Sequence, residues 1–176
     1  PEGSLIERTS RLVVHRQIDY GTARGLPWGI SESAYNVRDL EFTYQYSNFG
    51  VPGLGLKRGL GANTVVSPYA TALAAMVDPR AAARNFGRLA DIGARGRHGY
   101  YEALDFSPAR LPEGESVAIV RAFMAHHQGM GLLALAYTLR RNEHIRVTLL
   151  LSHVPSAVRK ALEVWCHVFA VALAAI

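Results

Sequence analysis

The amino-acid sequence predicts an all-α domain. Helix-start signals, Ser-x-x-Glu once and Ser-Pro or Asp-Pro twice, precede stretches with apolar residues at three- and four-residue spacing. No segment shows strong apolar–polar alternation, and no βαβ repeat occurs. The chain has 176 residues, 49% hydrophobic and 19% charged, enough for one domain with a real core and too apolar for a disordered tail.

The elements follow in chain order. Ser4-Leu-Ile-Glu7 has the capping-box spacing. It opens a helix over about Leu5–Arg24, with Leu5, Leu12, Val13, Ile18 and Tyr20 as its apolar stripe and Gly25 as its C-cap. From Leu26 to Val66, six glycines with Pro27 and Pro52 exclude a long helix. A loop-rich segment is expected there, with one short helix near Ser31–Asn36; so long an irregular stretch is usually functional. Ser67-Pro68 starts a second main helix, running to Val77. Asp78-Pro79 starts a third, to Ile92, stopped by Gly93. Residues 93–112 read as irregular, and a helix is expected over about Ser116–Leu139. Residues 142–153 fit strand or helix, and Pro155-Ser156 opens a last helix to about Ala175. The count is five or six helices, with chemistry expected on the loops at their ends.

The formal charge is +5, and all the Lys and Arg except Lys57 and Lys160 are arginine. The arginines form no run of five or six, so they read as solvated faces and local ion pairs, and nucleic acid is not an expected partner. Cys166 is the one cysteine, which excludes an internal disulfide. Residues 1–8 lack the apolar core of a signal peptide. The run Val164–Ile176 is shorter than the roughly 20 residues of a spanning helix. A start at Pro1 and an end inside an apolar stretch suggest a piece of something longer.

Three regions place carboxylates beside aromatics: Trp28–Asn36 with Glu32; Glu41 with Tyr44 and Tyr46; and Tyr100-Tyr101-Glu102-Ala-Leu-Asp105. Aromatic rings suit the C–H faces of sugars, carboxylates bind hydroxyls or move protons, and two carboxylates across a glycosidic bond suffice to cleave it. Glu32 alone also fits a helix-start residue or an ion-pair partner. The glycine segment 50–59 lacks the phosphate-loop spacing, because Lys57 is followed by Arg58. His126 and His127, adjacent on a helix, point about 100° apart and cannot easily share a metal. No metal or other cofactor is expected. One of the two histidines is expected to bond a substrate hydroxyl or a loop carbonyl; packing explains the other equally well.

The segments Gly29-Ile-Ser-Glu32-Ser-Ala-Tyr35-Asn36, Tyr44-Gln-Tyr46, Phe49-Gly-Val-Pro-Gly-Leu-Gly-Leu-Lys-Arg-Gly59, Val65-Val66-Ser-Pro-Tyr69-Ala, Tyr101-Glu-Ala-Leu-Asp105 and Phe123-Met-Ala-His-His-Gln-Gly-Met130 together resemble the glucoamylase-like domain of cyclic β-1,2-glucan synthases. The resemblance runs over about residues 3–137. It implies a partial (α/α)6 toroid, with residues 1–155 as the C-terminal half of the domain and 156–176 a helix beyond it. It implies retaining cleavage and rejoining of linear β-1,2-glucan into a ring, with Glu32 as nucleophile and the acid/base carboxyl upstream of Pro1. Trp28, Tyr35, Asn36, Tyr44, Tyr46, Arg58, Tyr69, Tyr101, Glu102, His126 and His127 would then line or support the sugar site. The implied partners are β-1,2-glucan chains, the upstream half of the domain and a membrane-bound glycosyltransferase part, at the cytoplasmic face of a bacterial inner membrane. Two other readings stay open at this point: a β-glucan-binding module without catalysis, and a helical interaction module.

Overall fold

The structure, a computed structural model, describes residues 4–140. The segment 142–153, the helix expected after Pro155, the boundary at 155/156 and Cys166 lie outside the described residues.

The first three helices begin at the start signals read in the sequence. Helix α1 spans Leu5–Ala23, and Ser4 Oγ accepts the Glu7 amide at 3.2 Å. It ends as the Leu26 amide returns to the Gly21 carbonyl at 3.0 Å and Gly25 takes a φ of 67°. Helix α2 spans Pro68–Ala74 and α3 spans Pro79–Asp91, each with proline in its first turn. Asp78 Oδ1 accepts the Ala81 amide at 2.9 Å, capping α3. Helix α4 spans Ala125–Arg140.

Between the helices the all-α expectation fails. The described residues hold four α-helices and seven short strands in three antiparallel sheets, a mixed α/β arrangement and not the all-α, five- or six-helix toroid. The stretch expected to be a short helix near Ser31–Asn36 is strand β1, Ser33–Arg38, which pairs with β2, Tyr44–Ser47, through Ser33↔Ser47 and Ala34↔Tyr46. Strands β3 (Val65–Val66), β6 (Ala103–Asp105) and β7 (Ala118–Val120) form the central sheet in the order β3-β6-β7. Strands β4 (Arg95–Gly96) and β5 (Gly99–Tyr100) make a small hairpin in the stretch read as irregular. The helix expected from Ser116 starts only at Ala125, because the β-branched run around Ile119 joins the sheet instead.

The reason is length and burial. Strands of two to six residues give a two-residue period no room to show. The central ones are buried on both faces: Val65, Val66, Ala103, Leu104 and Val120 are all fully buried. The core packs Ile30, Val51 and Leu89 onto Val66 and Leu104, and a neighbouring cluster joins Val14 and Trp28 to Ala74 and Ala82. No helix among the described residues is long and apolar enough to cross a membrane.

Candidate active site

The loop that carries Glu32 is held by two amide side chains, one half-buried and one buried, acting as extra backbone. Gln17, on α1, donates from Nε2 to the Ile30 carbonyl at 2.8 Å and accepts the Ile30 amide at 3.0 Å. Asn85, on α3, accepts the Trp28 amide at 3.1 Å and donates to the Trp28 carbonyl and to Thr71 Oγ1, both at 2.8 Å. Gly29, between these two clamps, has a φ of 112°, and a β-carbon there would lie 3.2 Å from the Ser67 carbonyl and from Thr71 Oγ1. Only glycine fits both the backbone and the space. The Ser67 amide closes the loop onto the Gly29 carbonyl at 2.9 Å.

Beyond the loop, Glu32 is exposed to solvent one residue ahead of β1, whose first residue, Ser33, is buried. Tyr69, on α2, donates to the Glu32 carbonyl at 3.2 Å and shares a 2.7 Å bond with the Ser31 hydroxyl. The Tyr69 ring stacks on the His127 imidazole, with centroids 3.8 Å apart and planes 12° from parallel. His127, on the first turn of α4, is 1% exposed, and its Nδ1 lies 2.7 Å from Oε1 of Glu102, which is 2% exposed. The same Oε1 accepts the Ala34 amide at 3.3 Å. Glu102 Oε2, also buried, has no hydrogen-bond partner among the described residues. The Tyr46 hydroxyl, on β2, lies 3.4 Å from His127 Nε2 and 3.5 Å from His126 Nε2.

The electrostatics tie Glu32 to this cluster. Burial first, then the charge of Glu32, the neighbouring Tyr69 and Glu102, and hydrogen bonding of the phenol to the Glu32 carboxylate push Tyr46 up to about 12. Burial also raises Tyr69; its bond to Ser31 opposes this, and Glu32 and Glu102 add to it. Burial lowers His127, outweighing the opposing pull of Glu102 and Glu32, with His126 adding to the lowering. The phenols therefore stay protonated and the imidazole stays neutral at neutral pH, a set of donors and acceptors beside a carboxylate. The adjoining cleft, about 240 Å³, is lined by Tyr69, Tyr100, Tyr101, Glu102, His127 and Gln128 among others. Three tyrosines, Phe86 and several polar atoms suit a sugar ring. Among the described residues no group of three His, Cys, Asp or Glu could hold a metal.

The structure brings Glu32, Tyr46, Tyr69, Tyr101, Glu102, His126 and His127 together and places the other candidates elsewhere. Trp28 is 5% exposed and packs in the core beside Val14 and Ala74, so its ring is not open to a ligand. Asn36 donates from Nδ2 to the Arg110 carbonyl at 2.6 Å, and its amide binds Asp105 Oδ2 at 3.2 Å. Tyr35 lies under the Arg110 guanidinium, 5.0 Å from its centre, and edge-on to Phe49. Tyr44 is covered by the Arg38 guanidinium at 4.3 Å. Arg58 is exposed in the glycine loop. Gln17, Ser31 and Asn85 are absent from the residues singled out by sequence: single amides and hydroxyls reaching across 13 to 57 residues leave no local pattern.

Comparison with known proteins adds an independent line. The Glycoamylase family model, which describes glucoamylase-type proteins, matches residues 10–144. A model for the DctQ component of tripartite ATP-independent periplasmic transporters matches residues 118–176, a minority of the chain that overlaps the first match. The chain is 55% identical over 135 residues to cyclic β-(1,2)-glucan synthase NdvB of Rhizobium meliloti (strain 1021). The match covers 77% of this chain and 5% of that much longer protein.

Proposed function

The chain belongs to the glucoamylase-like (Glycoamylase) family, and from that premise we propose that it forms part of a glucan-processing site in which Glu32 is the nucleophile. The observation that carries this reading is the convergence on Glu32 of two protonated phenols, Tyr46 and Tyr69, and the buried Glu102–His127 pair beside an aromatic cleft. The relative's name supplies the substrate class, a β-1,2-linked glucan.

The chemistry is two displacements at one carbon. A Glu32 oxygen attacks the anomeric carbon, the glycosidic C–O bond breaks, and the leaving oxygen takes a proton from a second carboxyl. A glucan hydroxyl then attacks the same carbon, returns its proton to that second carboxyl and releases Glu32. When the hydroxyl belongs to the far end of the same chain, the product is a ring with the original anomeric configuration. Tyr101 offers a face for sugar C–H groups, and Tyr46 and His126 offer bonds to hydroxyls. Glu102 is not suited to be the acid: one of its oxygens is held by His127 and Ala34, behind the surface. The acid/base carboxyl is supplied by the polypeptide upstream of Pro1, so that this chain is the C-terminal half of the catalytic domain. The longer protein works with a membrane-bound glycosyltransferase part at the cytoplasmic face.

The test is Glu32→Gln in the longer polypeptide, assayed with linear β-1,2-glucan. Cyclisation should fall by at least about four orders of magnitude, the scale of losing a catalytic nucleophile. Near-normal cyclisation would overturn it.

A further inference from the structure

The tip of the β1–β2 hairpin carries a strained residue. Leu40, Glu41 and Phe42 join Asp39 to Thr43, and the Phe42 amide closes a turn onto the Asp39 carbonyl at 3.1 Å. A tip of this kind, a turn followed by one residue in the left-handed region, normally has glycine at that last position. Here the residue is Phe42, with a φ of 61°, the one positive φ on a residue other than glycine among the described residues. The Asp39 side chain enforces it. Its Oδ1 accepts the Glu41 amide at 3.1 Å and the Thr43 amide at 2.8 Å, and its Oδ2 accepts from Gln45 Nε2 at 3.4 Å. The Asp39 amide donates to the Thr43 carbonyl at 3.0 Å. The tip is thus built to one shape, and that shape puts its apolar side chains in solvent. Leu40 is 93% exposed and Phe42 78%, and neither belongs to a core cluster. Scattered surface hydrophobics are ordinary. A strained backbone that holds an aromatic ring out of the fold is not.

We propose that this tip is a plug: Leu40 and Phe42 insert into an apolar socket of the polypeptide upstream of Pro1, the part that brings the second carboxyl to Glu32. The choice of occupant rests on that carboxyl lying upstream. Strand β1 begins one residue after Glu32 and runs to Arg38. At about 3.3 Å per residue, the tip stands roughly 20 Å along the ribbon from Glu32. The two carboxyls of a retaining site stand about 5 Å apart. A folded segment about 30 Å across that reaches Glu32 is wide enough to reach the tip as well. The relative that matches this chain extends far beyond the matched part, so there is polypeptide enough to form the socket. The chemistry of the tip favours polypeptide over sugar. Leu40, the more exposed of the pair, offers a glucan neither a flat face nor a hydrogen bond. Exposed Glu41 between the two suits a socket with a basic rim. Docked there, the hairpin holds Glu32 and Tyr46 in register with the second carboxyl.

Phe42→p-benzoylphenylalanine in the longer polypeptide, irradiated and digested with a protease, tests the contact directly. The cross-link should join the 39–43 segment to a peptide upstream of Pro1. A cross-link to any other part, or none, would overturn the proposal. Hydroxyl-radical labelling gives a second reading without a variant. Phe42 should label at least about fivefold more slowly in the longer polypeptide than in this chain, as a ring 78% exposed becomes covered. Equal labelling would contradict the plug. Protection that appears only with added linear β-1,2-gluco-oligosaccharide would make the tip a sugar subsite. Protection in this chain that grows with its concentration would make the partner a second copy. Either result overturns the proposal. Phe42→Gly separates docking from folding, because glycine accepts a φ of 61° without strain. This chain should then melt at the same temperature or higher, while cyclisation by the longer polypeptide falls at least about tenfold, the scale of misplacing a catalytic group. Unchanged cyclisation would contradict the proposal. Full turnover by Glu32→Gln would remove the nucleophile reading, while the cross-link still decides the docking.

Discussion

A β-carbon on Gly96 would collide with the ring and hydroxyl of Tyr101. Tyr101 is a side chain whose far end can move, so Gly96→Ala should displace its ring from the cleft and leave the core intact. We expect weaker binding of linear β-1,2-gluco-oligosaccharides by calorimetry with a Tm within a few degrees of wild type; unchanged affinity would show that Tyr101 makes no part of the site. Single residues are where sequence reading was least complete. The side chains gathered at Glu32 were nameable because their motifs are dense in Tyr, Glu and His. Trp28, Tyr35 and Asn36 sit in equally suggestive motifs, yet their partners are the core and Arg110. An aromatic beside a carboxylate looks alike in sequence whether it faces a sugar or a guanidinium. Only the fold separates the two.

At the scale of elements, α1 to α3 were legible because Ser4, Ser67-Pro68 and Asp78-Pro79 write their starts locally. The strands were not, since a buried two- or three-residue strand is defined by its neighbours in space. Two polar fasteners join these elements. Asn85 satisfies both backbone groups of Trp28 from within the core, so Asn85→Ala strands buried polar atoms and should cost about 2–3 kcal/mol in denaturant unfolding. A loss under about 0.5 kcal/mol would show that the loop is held by packing alone. The second fastener is Asp105, fully buried on β6, bound by Arg110 at 2.6 Å and by the Ser107 and Asn36 amides. Burial by itself would raise this carboxyl, but Arg110, Ser107 and Asn36 outweigh it and hold it below its ordinary value. Its folded pKa is depressed, so its contribution is complete above the unfolded value of about 4 and is lost as pH falls through the folded one. Asp105→Asn should destabilise the fold at pH 7 by about 3 kcal/mol and flatten the acid-side decline. An acid decline as steep as that of wild type would assign it to other groups.

The whole molecule places a mixed α/β framework under the site: the β3-β6-β7 sheet leads into Glu102, α2 carries Tyr69, α4 carries His127, and the β1–β2 hairpin carries Tyr46. The charge of +5 is spread among arginines with local tasks, such as Arg110 on Asp105, Arg38 on Tyr44 and Arg11 on Glu7. The segment spans 5% of the glucan synthase it matches. On the proposed division of the catalytic carboxyls, the isolated chain should yield no cyclic product from linear β-1,2-glucan in a chromatographic assay. Ring formation by the chain alone would place the acid among its own residues. The central claim is the role of Glu32, and the most direct measurement is where the sugar becomes attached. The longer polypeptide, mixed with linear β-1,2-glucan, quenched rapidly in acid and digested with a protease, should show the mass of a β-1,2-glucan chain on the peptide containing Glu32, absent in Glu32→Gln. An adduct on a different carboxylate, or turnover with no adduct in a Glu32→Gln protein, would contradict it.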